Sequence, residues 1–223
     1  MQTEKLITPI AHAFPVGSVT WGVINGMQVV TRFVGSDEEE ARKEFLGIAD
    51  ASFLGKFGVK GRNAAQWLQD QGIVVPEQPN SWAGNADGSL VLRLGGSEFL
   101  IEDAPGGNLC EKLLKADAKP AGVYLVPHVE ASFVLSGNAV QELFAEVCSI
   151  DLTRAALGVQ EVVMTQFAGV SVVLMHQDLE GEARYRVWCD SSYGPYLWEV
   201  MAGIANEHSG GPIGIGNYFS AYQ

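Results

Sequence analysis

Cysteine is scarce: Cys110, Cys148 and Cys189 are the three in 223 residues. The number is odd and no pair has Cys-x-x-Cys spacing, which excludes a disulfide framework and gives a zinc site no support. Each lies in an apolar stretch, the setting of a buried free thiol in a reducing compartment. The four histidines (His12, His128, His176, His208) are too scattered to read as a ligand set. No apolar run approaches the ~18 residues of a membrane span. The opening "MQTEKLITPIAHAFPVGS" lacks a basic start followed by an apolar block, so no secretory signal is expected and the cytoplasm is the expected location. Basic residues are few, 14 Lys and Arg against 26 Asp and Glu, for a net charge of −12. Such a surface repels phosphate backbones, so nucleic acid is not an expected partner. No Gly-x-Gly-x-x-Gly follows a strand; "GGPIGIGNYF" (210–219) follows a helix, the wrong order for a phosphate loop. No Gly-x-Ser-x-Gly elbow is present, and Ser136 has no evident base, which argues against a hydrolase.

What is present is a folding chain. Hydrophobic residues make up 47% and charged residues 18%, a globular balance. "TWGVINGMQVVTRF" (20–33) reads as a hairpin turning at Asn25-Gly26, a pair that tolerates positive φ. "SDEEEARKEFLGIAD" (36–50) reads as a helix with a Ser36/Glu39 capping box, acids in the first turn, and Ala41, Phe45, Ile48 and Ala49 on one face. A strand over 51–61 and a short helix over 62–72, closed at Gly72, follow. Then come a Pro/Gly/Asn-rich loop (75–88) and a hairpin (89–103) turning at Gly95-Gly96. A helix over 107–117, extended chain over 122–137 with Pro127 at an edge or bulge, and a helix over 138–149 come next. A second long hairpin spans 161–178, turning near Ala168-Gly169. "YRVWCD" reads as a strand, and the last helix is capped by Ser191 or Ser192, with Tyr193, Leu197, Val200, Met201 and Ile204 as its core stripe.

The pieces repeat. "FGVKGRNAAQWL" (57–68) aligns without gaps on "FVLSGNAVQELF" (133–144), and a glycine-turned hairpin follows each. The expected fold is α+β: two similar halves of antiparallel sheet with helices on one face. The expected spans are a hairpin segment (1–35), a first half (36–117), a second half (118–209) and a tail (210–223), with a ligand crevice between the halves.

Few side chains stand out chemically. Glu182, after Gly181 at the mouth of a strand, is either a crevice-facing carboxylate or a surface loop acid. Beyond it Arg184, Arg186 and Trp188 alternate with Tyr185, Val187 and Cys189, giving one cationic face and one apolar face. Neighbouring arginines suit carboxylate recognition or a subunit interface, unless local acids pair with them. Trp82 and Trp21 are candidate exposed aromatics for the same purpose. Asp87, in the "NADGS" turn, is explained by turn chemistry alone, and only a family resemblance makes it a weak catalytic candidate. His176, at the end of the second hairpin, reads as a solvated strand-end histidine ahead of a general base.

Four segments in order carry a resemblance. "ADASFLGKFGVKGRNAAQWLQ", "DGSLVLRLGGSEFLI", "LEGEARYRVWCD…YLWEVM" and "GGPIGIGNYF" resemble successive motifs of the aminomethyltransferase (glycine-cleavage T-protein) folate-binding domain, over about residues 40–217. "LSGNAVQELFAEVCSIDL" and "CDSSYGPYLWEVM" are similar to segments of the gamma subunit of heterotetrameric sarcosine oxidase, with Asp190 where that subunit has arginine. The resemblance implies tetrahydrofolate as cofactor, Glu182 as a pterin contact, and Asp87 as one member of an Asp-Asp pair whose second place is taken by Gly88. Arg184 and Arg186 stand where the family has the glycine and glutamate of Gly-Phe-Glu. The C-terminal barrel of full transferases is expected to be missing. The implied role is a non-catalytic folate-fold subunit of a sarcosine-oxidase-like complex, with the other oxidase subunits as partners. The alternatives are a stand-alone folate-dependent C1-transfer or accessory protein, and a scaffold without ligand. The Lys-Gly-Cys-Tyr-x-Gly-Gln-Glu motif of iron–sulfur-assembly relatives is absent.

Overall fold

The structure is a computed structural model that describes residues 6–14, 19–116, 119–153, 156–158, 160–179, 181–219 and 222, with only the backbone of Ser36 and Leu179. In chain order its elements are β1 (Leu6–Ile7), β2 (Thr20–Ile24), β3 (Met27–Arg32), α1 (Ser36–Leu46), β4 (Gly47–Asp50), β5 (Lys56–Lys60), α2 (Ala64–Asp70), β6 (Ser81–Gly84), β7 (Leu90–Arg93), β8 (Glu98–Glu102), α3 (Leu109–Lys115), β9 (Tyr124–Pro127), β10 (Ala131–Ser136), α4 (Val140–Val147), β11 (Val162–Phe167), β12 (Val170–Leu179), β13 (Glu182–Cys189), α5 (Gly194–Glu207) and β14 (Gly211–Pro212). Most pairing is antiparallel, in sheets ordered β1-β3-β2, β11-β12-β13-β10-β4-β14 and β6-β7-β8-β5-β9. The α+β class is the one expected.

Two compact units divide the chain. One comprises 1–53, 130–158 and 164–223, and the other 54–129 and 159–163. The second is built on β5-α2-β7-β8-α3-β9, a split β-α-β order whose strands lie β7-β8-β5-β9. Phe57, Val59, Val91, Phe99 and Ile101 share one sheet face and pack on Trp67 and Leu68 of α2 and Cys110 and Leu113 of α3. In the first unit Phe133 meets Trp198 of α5 with ring centroids 5.9 Å apart. On the same face Tyr185 meets Phe144 of α4 at 4.9 Å. Helices therefore cover one face of each large sheet.

The repeated motif is visible in space. Gly61 after β5 and Gly137 after β10 have φ of +119° and +109°, and a Cβ on either would overlap a backbone carbonyl, Gly122 O or Phe45 O. Only glycine allows that approach. Yet the units are not contiguous spans like 36–117 and 118–209, because strands are exchanged. β4, which precedes β5, pairs with β10. β9, which precedes β10, pairs with β5.

The glycine-turned hairpins and the Asn25-Gly26 turn form where expected, with φ of +51° and +78° at that pair. Several local expectations are corrected. The first helix ends at Leu46, and Gly47–Asp50 is strand β4, because pairing with β10 outweighs the helical period. Phe45 is 46% exposed, not part of a buried stripe. The N-cap of α1 is Gly35 without a side-chain bond; the Ser36 side chain lies outside the described residues. Glu39 instead accepts from the N–H of Phe33 at 2.6 Å and Val34 at 3.3 Å. Strand β5 starts only at Lys56, since Asp50 holds a turn by accepting from Ser52 N at 2.9 Å and from the Thr8 hydroxyl. Before α5 the capping group is Asp190, whose Oδ1 takes Ser192 N at 2.9 Å and Ser192 Oγ at 2.6 Å; Tyr193 is exposed, and Trp198 and Ala205 join Leu197 and Met201 in the core.

Candidate functional site

Glu182 opens β13 just after Gly181, whose φ of +85° turns the chain from β12. The carboxylate is half exposed. Its Oε2 takes Lys43 Nζ from α1 at 2.7 Å and Arg184 Nη2 at 3.3 Å. The Lys43 hydrogen bond outweighs partial burial, so the carboxyl sits below the usual glutamate range and is ionised at neutral pH. Glu182 is thus a fixed, water-reachable hydrogen-bond acceptor.

The two arginines behind it are buried, 4% and 3% exposed, as is Trp188 at 1%. This corrects the expected exposed cationic strand face. Position 184 is paired with Ser136, 186 with Val134 and 188 with Ser132 of β10. That sheet face is closed by the segment after β14. Arg184 donates Nη1 to Tyr218 O at 2.8 Å and lies 5.4 Å from the Tyr218 ring centre. Arg186 lies 5.1 Å from the Trp188 ring and 6.0 Å from that of Phe219. Guanidinium planes desolvated against aromatic faces are favourable, which helps to hold charge here. Tyr218 is fully buried; its hydroxyl pairs with Ser136 Oγ at 2.8 Å and donates to Gly47 O at 3.1 Å. Burial pushes its phenol pKa upward. Ser136 accordingly has structural partners, Tyr218 and the carbonyl of Lys43.

In the other unit Asp87 is exposed at its turn. Its Oδ1 accepts from Ser89 N at 2.9 Å and Ser89 Oγ at 2.6 Å. Partial burial works to raise its pKa, but these hydrogen bonds outweigh it and the carboxyl falls below its usual range. Nearby is an acid the sequence reasoning missed. Asp103 follows β8, is 7% exposed, donates its N–H to Gly55 O at 2.8 Å, and accepts from Cys110 N at 2.7 Å. Burial raises its pKa, opposed by the Cys110 N–H and reinforced by Glu102 and Asp87. The two acids are therefore driven in opposite directions, Asp87 down and Asp103 up. Gly55 leaves room for the carboxylate, because a Cβ there would meet Asp103 Oδ2 and force it to shift. The only sequence hint was an acid at a strand end followed by the "APGGN" entry to a helix. Lys56 and Glu102, side chains 2% and 1% exposed, form a buried pair at 3.8 Å.

The remaining candidates scatter. Trp82 lies half-buried on edge strand β6, and Trp21 is 38% exposed on β2. His176 is not solvated: its side chain is 10% exposed, its ring lies 5.0 Å from Tyr185, and Asp178 is 3.4 Å away. Cys110 and Cys189 are buried free thiols and Cys148 is partly buried; burial, with Asp190 and Glu130 nearby, pushes Cys189 up to about 12. Among the described residues no group of three or more His, Cys, Asp or Glu could hold a metal ion. No described helix is long and apolar enough to cross a membrane. A cleft of about 540 Å³ is lined by Phe14, Phe33, Trp198 and Arg42, and one of about 620 Å³ by Thr20, Arg32, Glu39 and Asn217; neither is lined by Glu182 or Asp87.

No protein-family model matches the chain. It is 28% identical over 196 residues to an aminomethyltransferase of Thermoanaerobacter pseudethanolicus, covering 80% of this chain and 52% of that protein. It is 27% identical over 168 residues to the gamma subunit of sarcosine oxidase from Corynebacterium sp., covering 74% of this chain and 81% of that subunit. The chain spans about half the length of the aminomethyltransferase. In structure it matches the glycine-cleavage-system aminomethyltransferase T of Bartonella henselae with a TM-score of 0.74 at 16% identity, over 95% of this chain and 60% of that one. A chain of the heterotetrameric sarcosine oxidase of Corynebacterium sp. U-96 matches with a TM-score of 0.60 at 20% identity, over 78% and 92%. The fold is that of the matched part of the aminomethyltransferase T chain.

Proposed function

We propose that this chain is a non-catalytic subunit of a sarcosine-oxidase-like complex that oxidises N-methylated amines, keeping a folate-type contact at Glu182. The likeness to a gamma subunit along 81% of that subunit's length carries the reading. Arg184 and Arg186 support it, since they stand buried where the resemblance has the glycine and glutamate of Gly-Phe-Glu. Glu182 suits a ligand rich in N–H donors, being ionised, half exposed and held by two cations. Tetrahydrofolate, when bound, would supply one-carbon acceptor chemistry; Glu182 would bind and orient it. Trp21 and Trp82 are the proposed partner-facing aromatics.

Co-expression with the other subunits of a heterotetrameric sarcosine oxidase tests this. The chain is expected to elute within the complex and to show no sarcosine oxidation alone. An oxidase that assembles and turns over without the chain, while the chain elutes by itself, refutes the proposal.

A second reading, a stand-alone C1 transferase, draws on the aminomethyltransferase likeness and on the divergent acids Asp87 and Asp103. It requires the purified chain alone to form methylene-tetrahydrofolate from an aminomethyl donor. Loss of that activity in Asp87→Asn would support it.

A further inference from the structure

Glu182 is an acceptor already in use. Lys43 Nζ and Arg184 Nη2 both close on one oxygen, Oε2. A carboxylate oxygen offers two acceptor directions, so two donors fill it. The cations differ in freedom. Arg184 is 4% exposed, tied to Tyr218 O and stacked on the Tyr218 ring. Lys43 has a flexible stem, a side chain 21% exposed, and a looser ring contact of 5.7 Å. A ligand edge with two parallel N–H donors, such as a 2-amino-4-oxopyrimidine ring, engages a carboxylate through both oxygens at once. Arg184 cannot leave without breaking its bond to Tyr218, whereas Lys43 can.

We propose that Lys43 is a resident competitor for Glu182: it caps the carboxylate in the free protein and must swing off when a planar two-donor ligand binds. The inference rests on Glu182 being a ligand contact. Lys43 then sets the affinity of the site for ligands that need both oxygens, while a single donor can use Oε1 without displacing it.

Calorimetric titration of tetrahydrofolate into wild type, Lys43→Met, Lys43→Arg and Glu182→Gln separates the possibilities. Lys43→Met is expected to bind about two- to fivefold tighter than wild type, the strength of a half-exposed ion pair. Lys43→Arg should bind like wild type, and Glu182→Gln about tenfold more weakly or worse. If Lys43→Met binds no better while Glu182→Gln still fails, the competitor idea falls and the ligand contact stands. If neither wild type nor Lys43→Met binds, both fall. Lys43→Gln serves if the methionine variant unfolds, and carboxyl NMR gives an independent readout: the Glu182 pKa should rise in either variant.

Discussion

Buried Asp103 carries a pH signature. Its pKa is raised in the folded chain, chiefly by burial. The folded state therefore holds the proton more tightly than the unfolded chain. The contribution to stability is fullest below the ordinary aspartate range and is lost as pH rises through the raised value. Asp103→Asn keeps an oxygen for the Cys110 N–H and removes the charge. The stability of the wild type relative to this variant, from urea unfolding at each pH, should fall as pH rises through that window and then level off. A difference independent of pH would count against it. Glu182 has the opposite sign. Its lowered pKa adds stability that is present above the usual glutamate range and lost as pH falls through the depressed value. The group is half exposed, so Glu182→Gln should cost less than about 1 kcal/mol at neutral pH, while weakening tetrahydrofolate binding by about tenfold or more. A stability loss as large as the binding loss would mean that Glu182 is a structural residue. Glu182 and Asp87 were legible because a glycine turn and a strand mouth announce exposed acids. Lys43, Tyr218 and Asp103 were not, because their partners are distant in sequence or hidden by burial. The arginines were read as surface for the same reason: strand alternation assigns a face, but not what covers it.

Two elements rest on a glycine each. Gly61 and Gly137 join a strand to a helix at φ values few other residues adopt, with a backbone carbonyl where a Cβ would go. Gly137→Ala should cost more than about 2 kcal/mol, from strain and overlap together. Gly169 also has positive φ, +82°, but nothing lies within 4 Å of its Cβ position. Gly169→Ala should cost only about 1 kcal/mol. Denaturant midpoints compared at constant slope measure both, and equal losses would refute the role given to the carbonyl contact. The hairpins were legible since Asn-Gly, Gly-Gly and Ala-Gly pairs between alternating runs state their own geometry. The end of α1 was not: Ile48 and Ala49 continue the helical spacing, and only the pairing of β4 with β10 makes them strand.

The strand exchange makes a claim about the chain as a whole. The sequence repeat suggests cutting between 117 and 118, and each piece then looks like a complete half. The sheets say otherwise. The piece 1–117 holds β5, β7 and β8 but not β9, which pairs along β5 from Phe57 to Lys60. The piece 118–223 holds β10, β12 and β13 but not β4, which pairs along β10 from Phe133 to Ser136. Each piece keeps a strand the other sheet needs and leaves the edge of its own central strand bare. Unpaired backbone groups at a buried apolar edge are costly, and such an edge recruits other chains. Expressed alone, each piece should aggregate or show no cooperative unfolding; refolded together at equimolar ratio, they should recover the circular dichroism and melting transition of the intact chain. Cooperative melting of either piece alone would show that the exchanged strands are dispensable, and that the repeat marks two self-sufficient domains.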